Sequence, residues 1–140
     1  MFMVLASTLV VLSGCSGNKP AQTGEHPSGA KMAKVTGTVF YLERIALPPG
    51  AVLKVQLADV SRADAPADVI AGDSITVTTQ VPIPFSLKYD PQRIVPSHTY
   101  AVQARIEVDG DLRFINTSSN PVITNGKPAF VDVRVSPVPK

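Results

Sequence analysis

The stretch YAVQARIEV at positions 100–108 decides the fold class. Its apolar and polar side chains alternate, and a period of two residues is typical of a β-strand with one buried face rather than of a helix. The inward positions are Tyr100, Val102, Ala104, Ile106 and Val108. Because this apolar face is unbroken along the stretch, we expect the strand to lie in the centre of its sheet.

Asp109-Gly110 comes directly after this strand and is a strong short-range signal for a hairpin. Both residues accept the positive φ angles of a type I′ turn, so the chain should return through residues 111–114. A second signal of this kind, Asn125-Gly126, separates a short strand at 122–123 from a final strand at 129–135. The final strand points Val131, Val133 and Val135 to one side.

The segment 81–89 alternates as clearly, with Val81, Ile83, Phe85, Leu87 and Tyr89 on one face. Pro82 and Pro84 lie on the other face and have no N–H to donate to a neighbouring strand. This segment is therefore predicted to be an edge strand or to begin unpaired.

Further strands are predicted at 35–42, 52–57 and 75–79, the last of them after a polar connection at 64–73. Pro49-Gly50, in the first loop, suits the central positions of a type II turn. No segment shows the apolar repeat of an amphipathic helix. We therefore predict an all-β fold.

The spacing of the turn signals predicts a single antiparallel β-sandwich of about seven or eight short strands at 34–140, and a closed small barrel is the alternative. Tyr100 stands near a strand start, just after the bend at Pro96. It is predicted to be a corner tyrosine, whose hydroxyl group bonds to an upstream backbone group.

The overall charge excludes one class of partner. The 140 residues include 13 Lys and Arg against 11 Asp and Glu, a net charge of +2. This field is too weak to indicate nucleic-acid binding, so no nucleic-acid partner is expected. With 1 Cys in the sequence, no internal disulfide can form.

Residues 1–14 form an uncharged apolar stretch, too short to span a membrane and typical of a signal peptide. The stretch ends in Leu12-Ser13-Gly14-Cys15, the residue order of a bacterial lipobox. We predict that cleavage leaves Cys15 as a lipidated N-terminus, because its thiolate is the nucleophile that takes the lipid. The alternative, a buried cysteine ending a core helix, is disfavoured by Pro20. No Lys or Arg precedes the apolar run, so either residues precede Met1 or the leader is atypical.

The segment that follows is polar and has almost nothing to bury. Gly, Ser, Pro, Gln, Thr and Lys make up most of residues 16–33, which predicts a disordered tether. The expected organisation is a lipoprotein signal at 1–14, the lipidated Cys15 with its flexible tether at 15–33, and the folded domain at 34–140.

No residues are predicted to form a catalytic, cofactor-binding or metal site. His26 lies in the tether, and His98 has no second His or Cys close in sequence, whereas a structural zinc normally needs four ligands. We expect His98 to be an ordinary loop residue. The acidic segment 59–64 lacks the order of a calcium loop and is predicted to be solvated, with a local contact between Asp and Arg. Neither a nucleophile elbow nor a Gly-rich phosphate loop is present.

Six segments resemble the YbaY-type lipoprotein family, in the order of that family and over the whole folded domain. They are VTGTV at 35–39, ERIALPPGA at 43–51, VQLADVS at 55–61, VPIPF at 81–85, YDP at 89–91 and HTYAVQARI at 98–106. The family is grouped with the YscW-type lipoproteins, pilotins that carry type III secretion secretins to the outer membrane. The resemblance implies a periplasm-facing β-sandwich lipoprotein without established catalytic residues. By resemblance to bacterial lipoproteins, Ser16 after the cysteine favours the outer membrane.

The leading hypothesis is a membrane-anchored, non-enzymatic module that binds an envelope protein as a pilotin or chaperone does. An unpaired sheet edge could receive the partner. The alternative is an envelope glycan or small-ligand module, which would gain support if Phe40 and Phe130 were exposed together. An enzyme is the third reading and would need a pocket that brings His98 to two carboxylates.

Overall fold

The computed structural model describes residues 31–140, and the predicted leader, Cys15 and the tether up to residue 30 lie outside the described residues. The strands are β1 (Ala33–Phe40), β2 (Ala51–Asp59), β3 (Asp68–Thr76), β4 (Ile83–Tyr89), β5 (Tyr100–Val108), β6 (Asp111–Ile115), β7 (Pro121–Val122), β8 (Phe130–Arg134) and β9 (Ser136–Pro137). A short 3-10 turn, Pro91–Arg93, follows β4.

These strands form two sheets. The small sheet has the order β4-β1-β8, and the large sheet has the order β3-β2-β5-β6-β9, with β7 also paired to β5. The predicted β-sandwich class is therefore confirmed. Strands β3 and β4 approach each other along one side but share no ladder, so the sheets do not close into a barrel there.

Strand β5 is central to the large sheet, as its unbroken apolar face predicts. It pairs with β2 over its whole length, from Tyr100 opposite Asp59 to Val108 opposite Ala51. Its other side pairs with β6 and β7. The largest fully buried side chains come from both sheets and form one core: Tyr100, Leu53, Leu57, Leu87, Ile106, Val35, Val39, Val55, Val102, Val122, Val133 and Val135.

Two of the predicted turns have the expected backbone. Asp109 and Gly110 have φ angles of 53° and 82°, as a type I′ hairpin requires. In the loop before β2, the N–H of Ala51 donates to the carbonyl of Pro48 over 3.3 Å. Gly50 has a φ of 86°, which is the type II geometry.

Strand β4 is an edge strand of the small sheet, as its prolines predict. Thr36 donates its N–H to the carbonyl of Ala129, just before β8. The backbone groups of its neighbours in β1, Val35 and Gly37, therefore point toward β4. In β4, the backbone N–H and C=O groups of Ile83, Phe85 and Leu87 point toward β1. Those of the residues between them, including Pro84, point away from β1. The missing N–H of Pro84 therefore costs no ladder hydrogen bond.

The structure corrects three sequence predictions. Asn125-Gly126 does form a turn with positive φ angles, but the strands on its two sides do not pair. Strand β7 joins the large sheet and β8 joins the small one, where it runs parallel to β1. The predicted polar connection at 64–73 is instead partly strand, because β3 begins at Asp68 and pairs with β2 through a bulge.

The sandwich has two distinct ends. The near end holds the start of β1 at Ala33, opposite Tyr89, and the start of β5 at Tyr100. The far end holds Phe40, Ala51 and the Asp109-Gly110 turn. The first described residues therefore enter the domain at the near end, about 23 Å along β1 from the far end.

Candidate functional site

A polar cluster joins three loops at the near end. Asp59 ends β2, and its Oδ2 atom lies 2.6 Å from Nδ1 of His98 in the loop before β5. The hydroxyl and N–H of Ser61 both donate to Oδ1 of Asp59, over 2.6 and 2.9 Å. The carbonyl of His98 in turn accepts a hydrogen bond from the Thr124 hydroxyl at 2.7 Å.

This cluster contains Ser, His and Asp but in an order that does not activate a nucleophile. In a catalytic triad the histidine lies between the serine and the carboxylate. Here the carboxylate of Asp59 lies between Ser61 and His98, so the serine hydroxyl donates to a weakly basic carboxylate and not to the imidazole. Ser61 Oγ also accepts the N–H of Thr99 over 2.9 Å. The arrangement joins the three loops.

The hydrogen bonds of the cluster stabilise the charged form of Asp59. They lower the pKa of Asp59 from 3.8 to about 2, chiefly through the Ser61 hydroxyl and to a smaller extent through His98. The sequence prediction of an Asp–Arg contact in this segment is wrong. Within residues 31–140, Arg62 takes part in no ion pair, and the partner of Asp59 is His98.

The described residues show no other assembled chemistry. Across 31–140, no three His, Cys, Asp or Glu side chains are grouped closely enough to hold a metal ion. No helix in this same range is long and apolar enough to cross a membrane.

A polar groove of about 490 Å³ crosses the outer face of the large sheet. The side-chain amides of Gln56 and Gln103 are hydrogen-bonded to each other at 2.5 Å on its floor. Lys54 and Arg105 border the groove and both contact Glu107, at 2.7 and 3.1 Å, and Lys54 is the main cause of the lowered pKa of Glu107. No aromatic ring lines this groove, so it lacks the stacking surface expected of a glycan site.

An apolar groove of about 670 Å³ lies at the far end. Its wall includes Ile45, Leu47, Leu112 and Val138, and the side chains of Ile45 and Leu112 are 55% and 40% exposed. The exposure of Leu112 is not predictable from the sequence, because period-two alternation places it on the same face as the buried Phe114. A register irregularity between Ile106 and Glu107 turns it outward instead.

Tyr41 holds the wall of this apolar groove in place. Its ring stacks on Phe114 with centroids 4.6 Å apart, and its hydroxyl donates to the carbonyl of Ile45 over 2.6 Å. Burial raises the pKa of Tyr41, and the nearby Glu43 carboxylate adds to the shift. Atom Oε2 of Glu43 is itself buried and has no hydrogen-bond partner among residues 31–140.

Phe40 and Phe130 do not form a joint aromatic surface. Both lie on the outer face of the small sheet, but Phe130 is opposite Thr36, and Phe40 is opposite Arg134. The two rings are thus four residues apart along the strands, about 13 Å. Phe130 is 53% exposed and Phe40 is half-buried. The condition that would have favoured a ligand-binding module is therefore not met.

The other predicted site residue, Cys15, lies outside the described residues, as does the lipobox before it. Lipidation at Cys15 stays a prediction. The described chain does begin at the near end, so any tether reaches the domain on the side opposite the apolar groove.

Comparison with known proteins identifies relatives of this domain. The family described as "Type III secretion system lipoprotein chaperone (YscW)" matches residues 30–135. The uncharacterized lipoprotein YbaY of Escherichia coli (strain K12) is 41% identical over 93 residues, which cover 66% of this chain and 49% of that protein. The match thus spans about half the length of the curated relative.

A solved structure gives the same result. An alternative pilotin from the type II secretion system of Vibrio cholerae superposes with a TM-score of 0.76 and 49% sequence identity, covering 79% of this chain and 100% of that one. The resemblance drawn from the sequence is therefore confirmed at the level of family and fold.

Proposed function

The chain belongs to the YscW family of type III secretion system lipoprotein chaperones, and from this premise we propose that it is a lipid-anchored, non-enzymatic envelope protein that binds and escorts a secretin subunit. The observation that carries the proposal is the match of this family to residues 30–135, which include all the described strands up to β8. The polar cluster at the near end supports it, because its Ser, His and Asp are bound to one another in a non-catalytic order.

The anchor in this proposal is a lipid on Cys15. Cleavage before Cys15 would remove residues 1–14, and the acyl chains on the new N-terminus would insert into a membrane leaflet. Ser16 favours sorting to the outer membrane, with the domain facing the periplasm. The alternative partner classes of nucleic acid, metal and cofactor have no supporting residues in the sequence.

The tether in this proposal sets the reach of the domain. Residues 16–32 could extend up to about 60 Å between the lipid and β1. Because β1 starts at the near end, the far end with its apolar groove would be free to face the periplasm. A chaperone attached in this way can meet a secretin subunit before that subunit enters the membrane.

The test compares palmitate labelling and membrane retention of the wild type and Cys15→Ser. We expect label and retention in the wild type, loss of both in Cys15→Ser, and a globomycin-sensitive precursor. Ser13→Ala is the matched control, since a small residue remains at the cleavage motif and labelling should persist. The same envelopes are then crosslinked and probed for the host's secretin. A membrane-bound Cys15→Ser without label, or no secretin crosslink in the wild type, would contradict the proposal.

A further inference from the structure

Strand β8 turns one full row of backbone groups away from the protein. The N–H of Thr36 donates to the carbonyl of Ala129, and the N–H of Val135 donates to the carbonyl of Phe40, over 3.1 and 2.9 Å. In a parallel ladder these two bonds determine which residues of β8 bond to β1, and they show that the backbone groups of Val131 and Val133 point toward β1. Phe130, Asp132 and Arg134 then direct their N–H and C=O groups outward, and within residues 31–140 these groups have no partner strand.

The corresponding edge of the large sheet is protected. Strand β3 carries a bulge, and the carboxylate of Asp73 accepts the N–H of Ser74 over 2.8 Å. The guanidinium of Arg93 donates to the carbonyl of Ile70 over 2.9 Å. Bulges and charged side chains placed over backbone groups are the means by which natural sheets block strand addition.

Two more edges are closed by proline or by shortness. Strand β4 has Pro84 at an outward-facing position, and Lys88 follows on the same edge. Strand β9 is limited to Ser136–Pro137. Among the edges in the described part of the chain, β8 is the five-residue strand without proline, bulge or side-chain cap.

The face beside this edge has a distinct chemistry. The outer face of the small sheet carries Lys34, Lys88 and Arg134 against the single acid Asp132, so basic residues outnumber acidic ones by three to one. The Asp132 carboxylate accepts a hydrogen bond from the Thr38 hydroxyl at 2.8 Å. Phe130 adds a ring that is 53% exposed. A strand laid along β8 would meet the ring of Phe130 at one end and, at the other, the guanidinium of Arg134, which forms no ion pair with another described side chain.

We propose that the outward edge of β8 binds an extended segment of the envelope partner as a fourth strand of the small sheet, and this inference rests on the proposed chaperone function. The segment would place an apolar side chain opposite Phe130 and an acidic side chain opposite Arg134, on the same face and four residues apart. Main-chain hydrogen bonds supply the affinity, and contacts with Phe130 and Arg134 determine which segment binds.

The first test measures amide hydrogen exchange at β8. The probes are overlapping synthetic peptides that cover the host's secretin, added to the folded domain. Binding at this edge slows exchange of the N–H groups of Phe130, Asp132 and Arg134, which have no partner strand within residues 31–140. The N–H groups of Gly72 and Thr76, on the edge of β3, should be unchanged. Protection at β3 with none at β8 would overturn the inference.

The second test blocks the edge with proline. Asp132→Pro removes an outward N–H that β1 does not use, and should weaken peptide binding about tenfold or more relative to Asp132→Ala. Asp132→Ala loses the same Thr38 contact and charge but keeps the N–H, so it is the matched control. Ser86→Pro on the β4 edge is a second control and should bind normally. If Asp132→Pro does not fold, Phe130→Ala and Arg134→Glu carry the test and should each weaken binding of the acidic segment.

The outcomes separate the two proposals. If the secretin peptides bind Asp132→Pro and wild type equally, the β8 inference is wrong while the chaperone function stands. If no secretin peptide binds and no secretin crosslinks in envelopes, both fail. If no secretin peptide protects β8 and anionic lipid vesicles instead bind the domain through Lys34 and Lys88, the outer face of the small sheet meets a membrane surface and strand addition is wrong.

Discussion

The hydroxyl of Tyr100 accepts a hydrogen bond from the backbone N–H of Val95, 2.9 Å away, and ties the start of β5 to the loop before it. It also lies 3.4 Å from the carbonyl of Arg93, to which it donates. Tyr100→Phe keeps the buried ring but removes these bonds, so we expect the free energy of unfolding to fall by about 1–2 kcal/mol in urea denaturation. Tyr89→Phe is the control, because no hydrogen bond joins its hydroxyl to residues 31–140. Equal losses in both variants would contradict a corner role for Tyr100.

Gly37 leaves room for the backbone of β8. A Cβ atom at this position would lie 1.7 Å from the carbonyl oxygen of Val131, a contact that no rotamer can relieve. Gly37→Ala should therefore separate β8 from β1 and lower the free energy of unfolding by about 3 kcal/mol or more. Gly72→Ala on β3 is the matched control, since its Cβ would meet Val55 at an ordinary 3.6 Å. Thermal unfolding of the two variants compares them directly, and equal midpoints would show that β8 does not pack as described.

The polar cluster at the near end, which contains Asp59, predicts an acid-sensitive contribution to stability. Because the folded-state pKa of Asp59 is lowered from 3.8 to about 2, its stabilisation is complete above about pH 4 and is lost as the pH falls through about 2. Urea unfolding measured across this window should show a fall in stability that Asp59→Asn lacks. A wild type and Asp59→Asn with parallel pH profiles would contradict the cluster.

Two variants distinguish the contributions of Ser61 and His98 to the lowered pKa of Asp59. The Ser61 hydroxyl is the largest cause of the lowered pKa of Asp59, and His98 contributes less. We therefore expect Ser61→Ala to raise the pKa of Asp59 by more than His98→Ala does, as measured by NMR titration of the carboxyl carbon. The reverse order would mean that the His98 contact dominates.

Substitutions at Leu112 and Phe114 test the register irregularity in the pairing of β5 with β6. Phe114 is 5% exposed and Leu112 is 40% exposed, although simple alternation places them on one face. Phe114→Ala should cost about 3–5 kcal/mol of stability, whereas Leu112→Ala should cost less than about 1 kcal/mol. Urea denaturation of both variants makes the comparison. Similar large losses would indicate that β6 continues in regular register and that the apolar groove is not open.

The sequence predicted the features that depend on local chemistry. Alternation identified β5 and its central place, the prolines identified β4 as an edge, and Asp109-Gly110 identified the hairpin. Each of these signals lies within a few consecutive residues. The corner hydrogen bond of Tyr100 was also predictable, because the bend and the strand start adjoin it.

The features that the sequence did not reveal depend on partners distant in the chain. The parallel pairing of β1 with β8 joins residues about a hundred positions apart, and alternation tells which side is buried but not which strand lies alongside. For the same reason Asn125-Gly126 looked like a hairpin, while its flanking strands join different sheets. The contact of Asp59 with His98 likewise required the two loops to be placed by β2 and β5.

The most direct test of the central claim, an anchored chaperone for a secretin, is the distribution of the host's secretin between membrane fractions. We predict outer-membrane secretin in the wild type, and its loss from that fraction both in a deletion strain and in one that makes Cys15→Ser, with the unanchored domain still co-purifying with secretin. An unchanged outer-membrane distribution of secretin in all three strains would contradict the claim.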